Sequence, residues 1–153
     1  MNILGVGPLL ALVGLIAAVS VAVLERIIGY SLSLPSYWHR WTFWVGVVLL
    51  VTGTHFWICS VALVKRAFAS RQLVKTGVYG LSRHPMYAAF IVFIIPGLAL
   101  ASNHLLLLFI SALMFIAFKM LIGKEEEFLA KEFGVEFEDY RKNVPQLIPF
   151  IHV

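Results

Sequence analysis

Four apolar runs, each close to the length of a bilayer-crossing helix, occupy most of this chain: residues 3–24, 41–64, 86–101 and 105–122. Lys119 is the one Lys, Arg, Asp or Glu inside any of them. Crossing about 30 Å of hydrocarbon takes about 20 predominantly apolar residues. Water is absent there, so the segment must satisfy its own backbone, and a run of this kind can only be a helix. The pattern therefore predicts an all-α membrane protein with about four transmembrane helices in a single domain spanning residues 1–153. Residues 123–153 follow as a polar C-terminal segment. With 61% hydrophobic and 13% charged residues, the chain lies well away from the roughly 45–50% and about 25% of soluble domains.

The charges between the runs indicate orientation. Residues 65–83 carry Lys65, Arg66, Arg71, Lys75 and Arg83 and no acidic residue. By the positive-inside rule this loop is cytoplasmic, and four spans then put both termini on the same side. The net charge of +4 is gathered beside apolar runs rather than on a soluble face, which excludes a nucleic-acid binder. Cys59 is the only cysteine, so there is neither an intramolecular disulfide nor a cysteine zinc cluster. No basic residue precedes the first run, which reads as a retained span.

Local signals fill in the connections. Gly29, Ser31, Ser33 and Pro35 mark residues 27–40 as a breaker-rich loop. Tyr37, Trp38, Trp41 and Trp44 gather where aromatic rings meet lipid headgroups. Pro96 and Gly97 predict a kink in the third span. Ser102, Asn103 and His104 form a tight turn, making the last two spans a hairpin. The fourth helix should run on past residue 122 to Phe133 and Gly134, a glycine stop. A short helix over 135–143 follows, and residues 147–151 are apolar enough to fold back on the protein or the membrane surface.

Two polar islands hold most of the reactive groups. In the first, Arg83 and His84 precede Pro85, which suits the first position of a helix while His84 stays extended. Free N–H groups and the helix dipole make that end an anion site, although a basic anchor at the membrane surface is an equal account of Arg83. In the second, Glu126 shares a helix face with Leu129, Ala130 and Phe133 and must find a partner. Arg83, His84, Lys119 or a cationic ligand could supply it, and an Arg83–Glu126 pair pinning the hairpin to the loop is the simplest case. Glu127 with Lys131, and Glu138 with Lys142, read as solvated i,i+4 pairs. His55 and Cys59 are one turn apart, but two ligands make a weak metal site; a buried, hydrogen-bonded histidine and a core cysteine are the better account. Snorkelling to the interface explains Lys119. The residues alone describe a four-span protein whose His/Arg/Tyr/Glu cluster could bind a zwitterion.

One further pattern runs through both islands. Thr-Gly-Val-Tyr (Thr76 to Tyr79) precedes Arg-His-Pro-x-Tyr (Arg83, His84, Pro85, Tyr87). Glu-Glu-x-x-Leu-x-x-x-Phe-Gly (Glu125, Glu126, Leu129, Phe133, Gly134), Tyr140 and Val-Pro-x-x-Ile-Pro-Phe-Ile follow in order. Over about half the chain this resembles the isoprenylcysteine carboxyl methyltransferases, with phospholipid methyltransferases as more distant relatives. The resemblance implies a bundle of transmembrane helices with a cytosolic C-terminal part that binds S-adenosylmethionine and methylates a lipid-borne acceptor entering from the bilayer. It implies that Tyr79, His84, Pro85, Tyr87, Glu125 and Glu126 contact the cofactor and that Arg83 and Glu126 are catalytic, Arg83 neutralising a carboxylate of cofactor or acceptor. No metal is implied. The acceptor that the resemblance implies is a carboxylate of an isoprenylcysteine-like compound or a prenylated substrate. The alternatives are a phosphatidylethanolamine-type amine and a non-catalytic protein that keeps the fold. Ala89 stands where the family usually has Gly, Phe137 where Tyr is common, and Gln146 where phospholipid-type relatives often carry Arg.

Overall fold

The computed structural model describes residues 6–29, 32–70 and 72–147, with the side chains of residues 68–70 left aside. Every regular element among them is helical: α1 (Gly7–Ile28), α2 (Ser36–Ser70), a 3-10 turn (Gly77–Gly80), α3 (Pro85–Ser102), α4 (Leu107–Phe133) and α5 (Val135–Asn143). The helices α1 to α4 are long and apolar enough to cross a membrane. They pack in the order α2, α3, α4, α1, each against the next.

The buried face of α4 explains how the bundle and its polar end are built together. Ile110, Met114, Phe118, Ile122 and Glu126 are its buried residues. They recur every four positions, which keeps them on one face. The first four pack with Leu10 and Ala17 of α1 and Ala88 and Ile91 of α3. The fifth carries a carboxylate inward at the end of the same stripe. Much of the outer surface is exposed and apolar, including Leu15, Ile16, Val48, Val51, Ile116 and Met120, as lipid contact requires.

Helices α2 and α3 touch through backbone. A methyl group on Gly46 would meet Ala101 N at 2.6 Å and Gly97 O at 2.7 Å, and one on Gly53 would lie 3.1 Å from Ala89 O. Small residues at such crossings let helices approach closely where no hydrophobic force between helices drives association.

Within α3, a π-helical stretch, Ala89–Ile94, lies immediately before Pro96 and Gly97, where the sequence predicts a kink. The Ile95 N–H bonds to Phe90 O instead of Ile91 O. The next residue, Pro96, has no N–H to offer. The Ile91 carbonyl is satisfied from outside, by the Ser111 hydroxyl of α4. A proline-induced defect is thus absorbed upstream and closed by a neighbouring helix.

The helix ends also shift from expectation. Helix α1 continues through Glu25 and Arg26 to a left-handed Gly29 (φ 67°), because charged residues can extend a helix into the polar layer. Helix α2 begins at Ser36, just past Pro35, so residues 27, 28 and 36–40 of the loop expected over 27–40 are helical. The turn at Asn103 takes a left-handed conformation (φ 61°). Its amide clamps Leu34, accepting from Leu34 N at 2.8 Å and donating to Leu34 O at 3.0 Å. Beside it, His104 Nδ1 lies 3.5 Å from Glu25 Oε1. Helix α4 does continue to Phe133 and stops at Gly134, and α5 spans Val135–Asn143 as expected. Ser31, Arg71 and the expected fold-back of residues 148–151 lie outside the described residues.

Replacing Gly46 with Ala should destabilise the protein by about 1–3 kcal/mol through overpacking against backbone. Gly123→Ala, where nothing lies within 4 Å, should be neutral or stabilise by up to about 1 kcal/mol. Unfolding midpoints in detergent check the contrast.

Candidate functional site

Four segments meet at the polar end of the bundle. The first is the turn into α3. His84, with φ −127° and ψ 59°, leads into Pro85 at the first helical position. The second is the C-terminal segment, which pairs alongside it: Arg83 N donates to Pro145 O at 2.9 Å and His84 N to Gln146 O at 3.2 Å. The Ser82 hydroxyl also donates to Gln146 O, at 3.3 Å. The third is α4, carrying Glu125 and Glu126. The fourth is the start of α1.

Glu126 is the hub. Its Oε1 receives His84 Nε2 at 3.2 Å and Gln146 Nε2 at 3.0 Å, with Arg83 Nη1 at 2.8 Å. Gln146 and Arg83 offer only N–H groups there, so the partner they require is the carboxylate. The Arg83–Glu126 ion pair expected from the sequence therefore forms. It is not fully directed, since Arg83 Nε and Nη1 are buried without a hydrogen-bond partner among the described residues. Burial draws the Arg83 guanidinium below its ordinary pKa, and the Glu126 charge opposes that shift.

Glu125 is bound differently. Its Oε2 accepts from the Tyr87 hydroxyl at 3.0 Å and from the Val6 amide at 3.2 Å. Its Oε1 lies 3.9 Å from His84 Nδ1, beyond hydrogen-bond range. His84 stacks on Tyr87, with centroids 5.9 Å apart and planes 27° apart, and both rings pack on Phe118 at 5.7 and 5.6 Å. Two carboxylates, one paired with a cation and one held by neutral donors, thus flank a small aromatic wall.

Tyr79, in the 3-10 turn, packs by Phe56, Val78 and Ala89. Its carbonyl accepts the Tyr140 hydroxyl at 2.6 Å, which ties the turn to α5. Burial, reinforced by the Glu125 charge, raises the Tyr79 pKa. Burial likewise raises that of Tyr140, which keeps its hydroxyl a donor.

The structure thus assembles Arg83, His84, Pro85, Tyr87, Glu125 and Glu126, with Tyr79 on the adjoining turn. Sequence reasoning missed two participants. Gln146 is the lone polar side chain between Pro145 and Leu147, a signal that could have marked it. The Val6 amide leaves no trace in side-chain chemistry. Other expectations change. Lys119 reaches Gln146 Oε1 at 2.8 Å rather than Glu126. His55 is exposed instead of buried, facing outward from α2, with Cys59 Sγ at 3.6 Å from its Nε2. Among the described residues no three potential ligands gather for a metal. On α5 the pairs are Glu138–Arg141 at 3.7 Å and Asp139–Lys142 at 3.9 Å, because i,i+3 partners are as close as i,i+4 on a helix. Glu127–Lys131 is not among the ion pairs of the described residues.

Residues 41–136 match the family model for phospholipid methyltransferases, which takes in both α2 and the turn into α3 as well as α4. The chain belongs to that family. A probable protein-S-isoprenylcysteine O-methyltransferase of Oryza sativa subsp. indica is 29% identical, with 89% of this chain and 76% of the relative covered. The protein-S-isoprenylcysteine O-methyltransferase of Schizosaccharomyces pombe is 37% identical over 52% of this chain and 34% of the relative. The nickel-cobalt-cadmium resistance protein NccN of Alcaligenes xylosoxydans xylosoxydans is 30% identical over 86% and 61%.

Two of the three departures from the family pattern, Ala89 and Phe137, are packed without conflict. Ala89 is fully buried against Phe56 and Val78; across this crossing the glycine is Gly53 of α2. Phe137 is enclosed by Leu73, Leu129, Ala130 and Phe133, an apolar setting where a hydroxyl would need a partner.

Glu126→Ala should cost about 3–5 kcal/mol, because it strands a buried guanidinium. Glu127→Ala, on an exposed position of the same helix, should stay within about 0.5 kcal/mol. Unfolding in detergent compares the two.

Proposed function

We propose that the chain is an integral-membrane methyltransferase that uses S-adenosylmethionine to methylate a lipophilic acceptor, a carboxylate of an isoprenylcysteine-like compound. The observation that carries this reading is the split between the two glutamates. Glu126 is paired with the Arg83 guanidinium and also holds His84 and Gln146, all on Oε1, whereas Glu125 is held by the neutral Tyr87 hydroxyl and the Val6 amide and has no cation at hydrogen-bond distance among the described residues. A carboxylate without a cation, at the same polar end as the Arg83 guanidinium, fits the ammonium and carboxylate ends of an amino-acid moiety. The family and the names of the relatives above point the same way.

In this reading Glu125 faces the ammonium and Arg83 the carboxylate of the cofactor. His84 and Tyr87 hold the wall against which it rests, Pro85 starts the helix that positions them, and Tyr79 closes the turn. Glu126 acts by holding Arg83 and His84 in place. S-adenosylmethionine supplies an electrophilic methyl group on sulfur, so the chain's task is to orient an acceptor in line with it and to exclude water. A carboxylate acceptor is already ionised and needs no base. An amine must lose a proton, and Glu126 already holds three donors on Oε1. The names of the relatives favour the carboxylate over the phospholipid amine. The loop around the site faces the cytoplasm, by its basic residues, and the acceptor arrives from the bilayer.

Calorimetric titration of the detergent-purified protein with S-adenosylhomocysteine tests this. The wild type should bind, and Glu125→Gln or His84→Ala should weaken binding by about tenfold or more, the loss expected for one charge-assisted hydrogen bond. A folded wild type that does not bind would overturn the proposal.

A further inference from the structure

Lys119 lies on the outer, lipid-facing strip of α4, with Ile116 and Met120 exposed on either side of it. A lysine one turn inside an apolar span ordinarily bends its ammonium toward water. This one bends toward the polar end of the bundle and is held there by the side chain of Gln146, with Nζ 2.8 Å from Oε1. The orientation of that amide is dictated from within. Gln146 Nε2 must face the Glu126 carboxylate, at 3.0 Å, so Oε1 is turned outward, and an outward carbonyl oxygen attracts a cation. A continuous polar chain therefore runs from the lipid-facing surface through Lys119 and Gln146 to Glu126, His84 and Arg83.

The charges leave Lys119 with a distinct position. Arg83 sits against Glu126, at 2.8 Å. Glu125 has no cation at hydrogen-bond distance among the described residues. Among the described residues no carboxylate lies within ion-pair distance of Lys119, whose one hydrogen bond is to Gln146. Among the described residues, two of its three N–H donors have no partner. At the edge of the hydrocarbon, where the dielectric is low, a fixed ammonium attracts an anion strongly and repels another ammonium equally.

We propose that Lys119, held by Gln146, is the specificity-determining residue that receives the carboxylate of an acceptor arriving from the bilayer and turns away amine acceptors. The inference rests on the methyltransferase reading above and adds the recognition of the acceptor to it. Lys119 takes no part in bond making. It brings the ionised oxygen to the site and discriminates by charge.

The test uses the full chain in detergent with N-acetyl-S-farnesylcysteine as acceptor, labelled S-adenosylmethionine as donor, and three variants: Lys119→Met, Lys119→Arg and Lys124→Met. Lys119→Met should raise KM for the acid about tenfold or more while kcat changes less than about twofold, the pattern of lost binding. Lys119→Arg should recover most of the affinity, and Lys124→Met, altered at an exposed residue beyond the span, should match the wild type. S-adenosylhomocysteine affinity and the unfolding midpoint should be unchanged in all three. Equal KM in Lys119→Met and wild type would overturn the proposal and leave the methyltransferase reading intact. So would a defect in Lys119→Met confined to kcat or to folding. If the wild type transfers no methyl, equilibrium binding of the same acid decides the matter separately. Binding that needs Lys119 supports the proposal while the methyltransferase reading fails. Binding that does not need Lys119, or no binding, overturns both.

Discussion

A buried carboxylate organises this molecule. Glu126 lies at the end of the stripe that packs α4 into the bundle, and on its Oε1 converge Arg83, His84 and Gln146. Removing a charge from water is costly unless its partners are complete. The donors come from the turn before α3 and from the C-terminal segment, so that completeness demands that three remote stretches of chain meet. Neighbouring Glu125, held by the Tyr87 hydroxyl and the Val6 amide, is left without a cation at hydrogen-bond distance among the described residues. The polar end of the bundle is thus set by packing deeper in the apolar core, because displacing α4 by even one residue would rotate Glu126 off its face.

The rest of the fold serves that placement. Close backbone contact between α2 and α3, through Gly46, Gly53 and Gly97, fixes the helix whose first turn carries His84, Pro85 and Tyr87. The π-helical stretch beyond Tyr87 absorbs the effect of Pro96 and is tied by Ser111 to α4. The same two helices are joined at their far end by the Asn103 turn, clamped onto Leu34. The hairpin that brings Glu125 and Glu126 opposite His84 is held at both ends.

Much of this was legible in the residues. Hydrophobic length alone located four helices, because a helix in hydrocarbon has no alternative way to satisfy its backbone. The stop at Gly134, the short helix over 135–143 and the inward side of Glu126 followed from periodicity and glycine geometry. What could not be read were features set by contacts distant in the chain. The π-helical stretch depends on Ser111, twenty residues beyond Ile91. The role of Gln146 depends on Glu126, and that of Val6 on a backbone amide. His55 was misjudged because its face on α2 depends on which side meets α3. The choice between Glu125 and Glu126, adjacent and chemically alike, was set only by the donors folding brings to each.

The structure of the protein with S-adenosylhomocysteine bound, determined experimentally, tests that division of labour most directly. The account predicts the ligand's ammonium on the Glu125 carboxylate and its carboxylate on Arg83. Glu126 would remain on Arg83, His84 and Gln146. A ligand ammonium seated on Glu126, with Gln146 turned away, would contradict it.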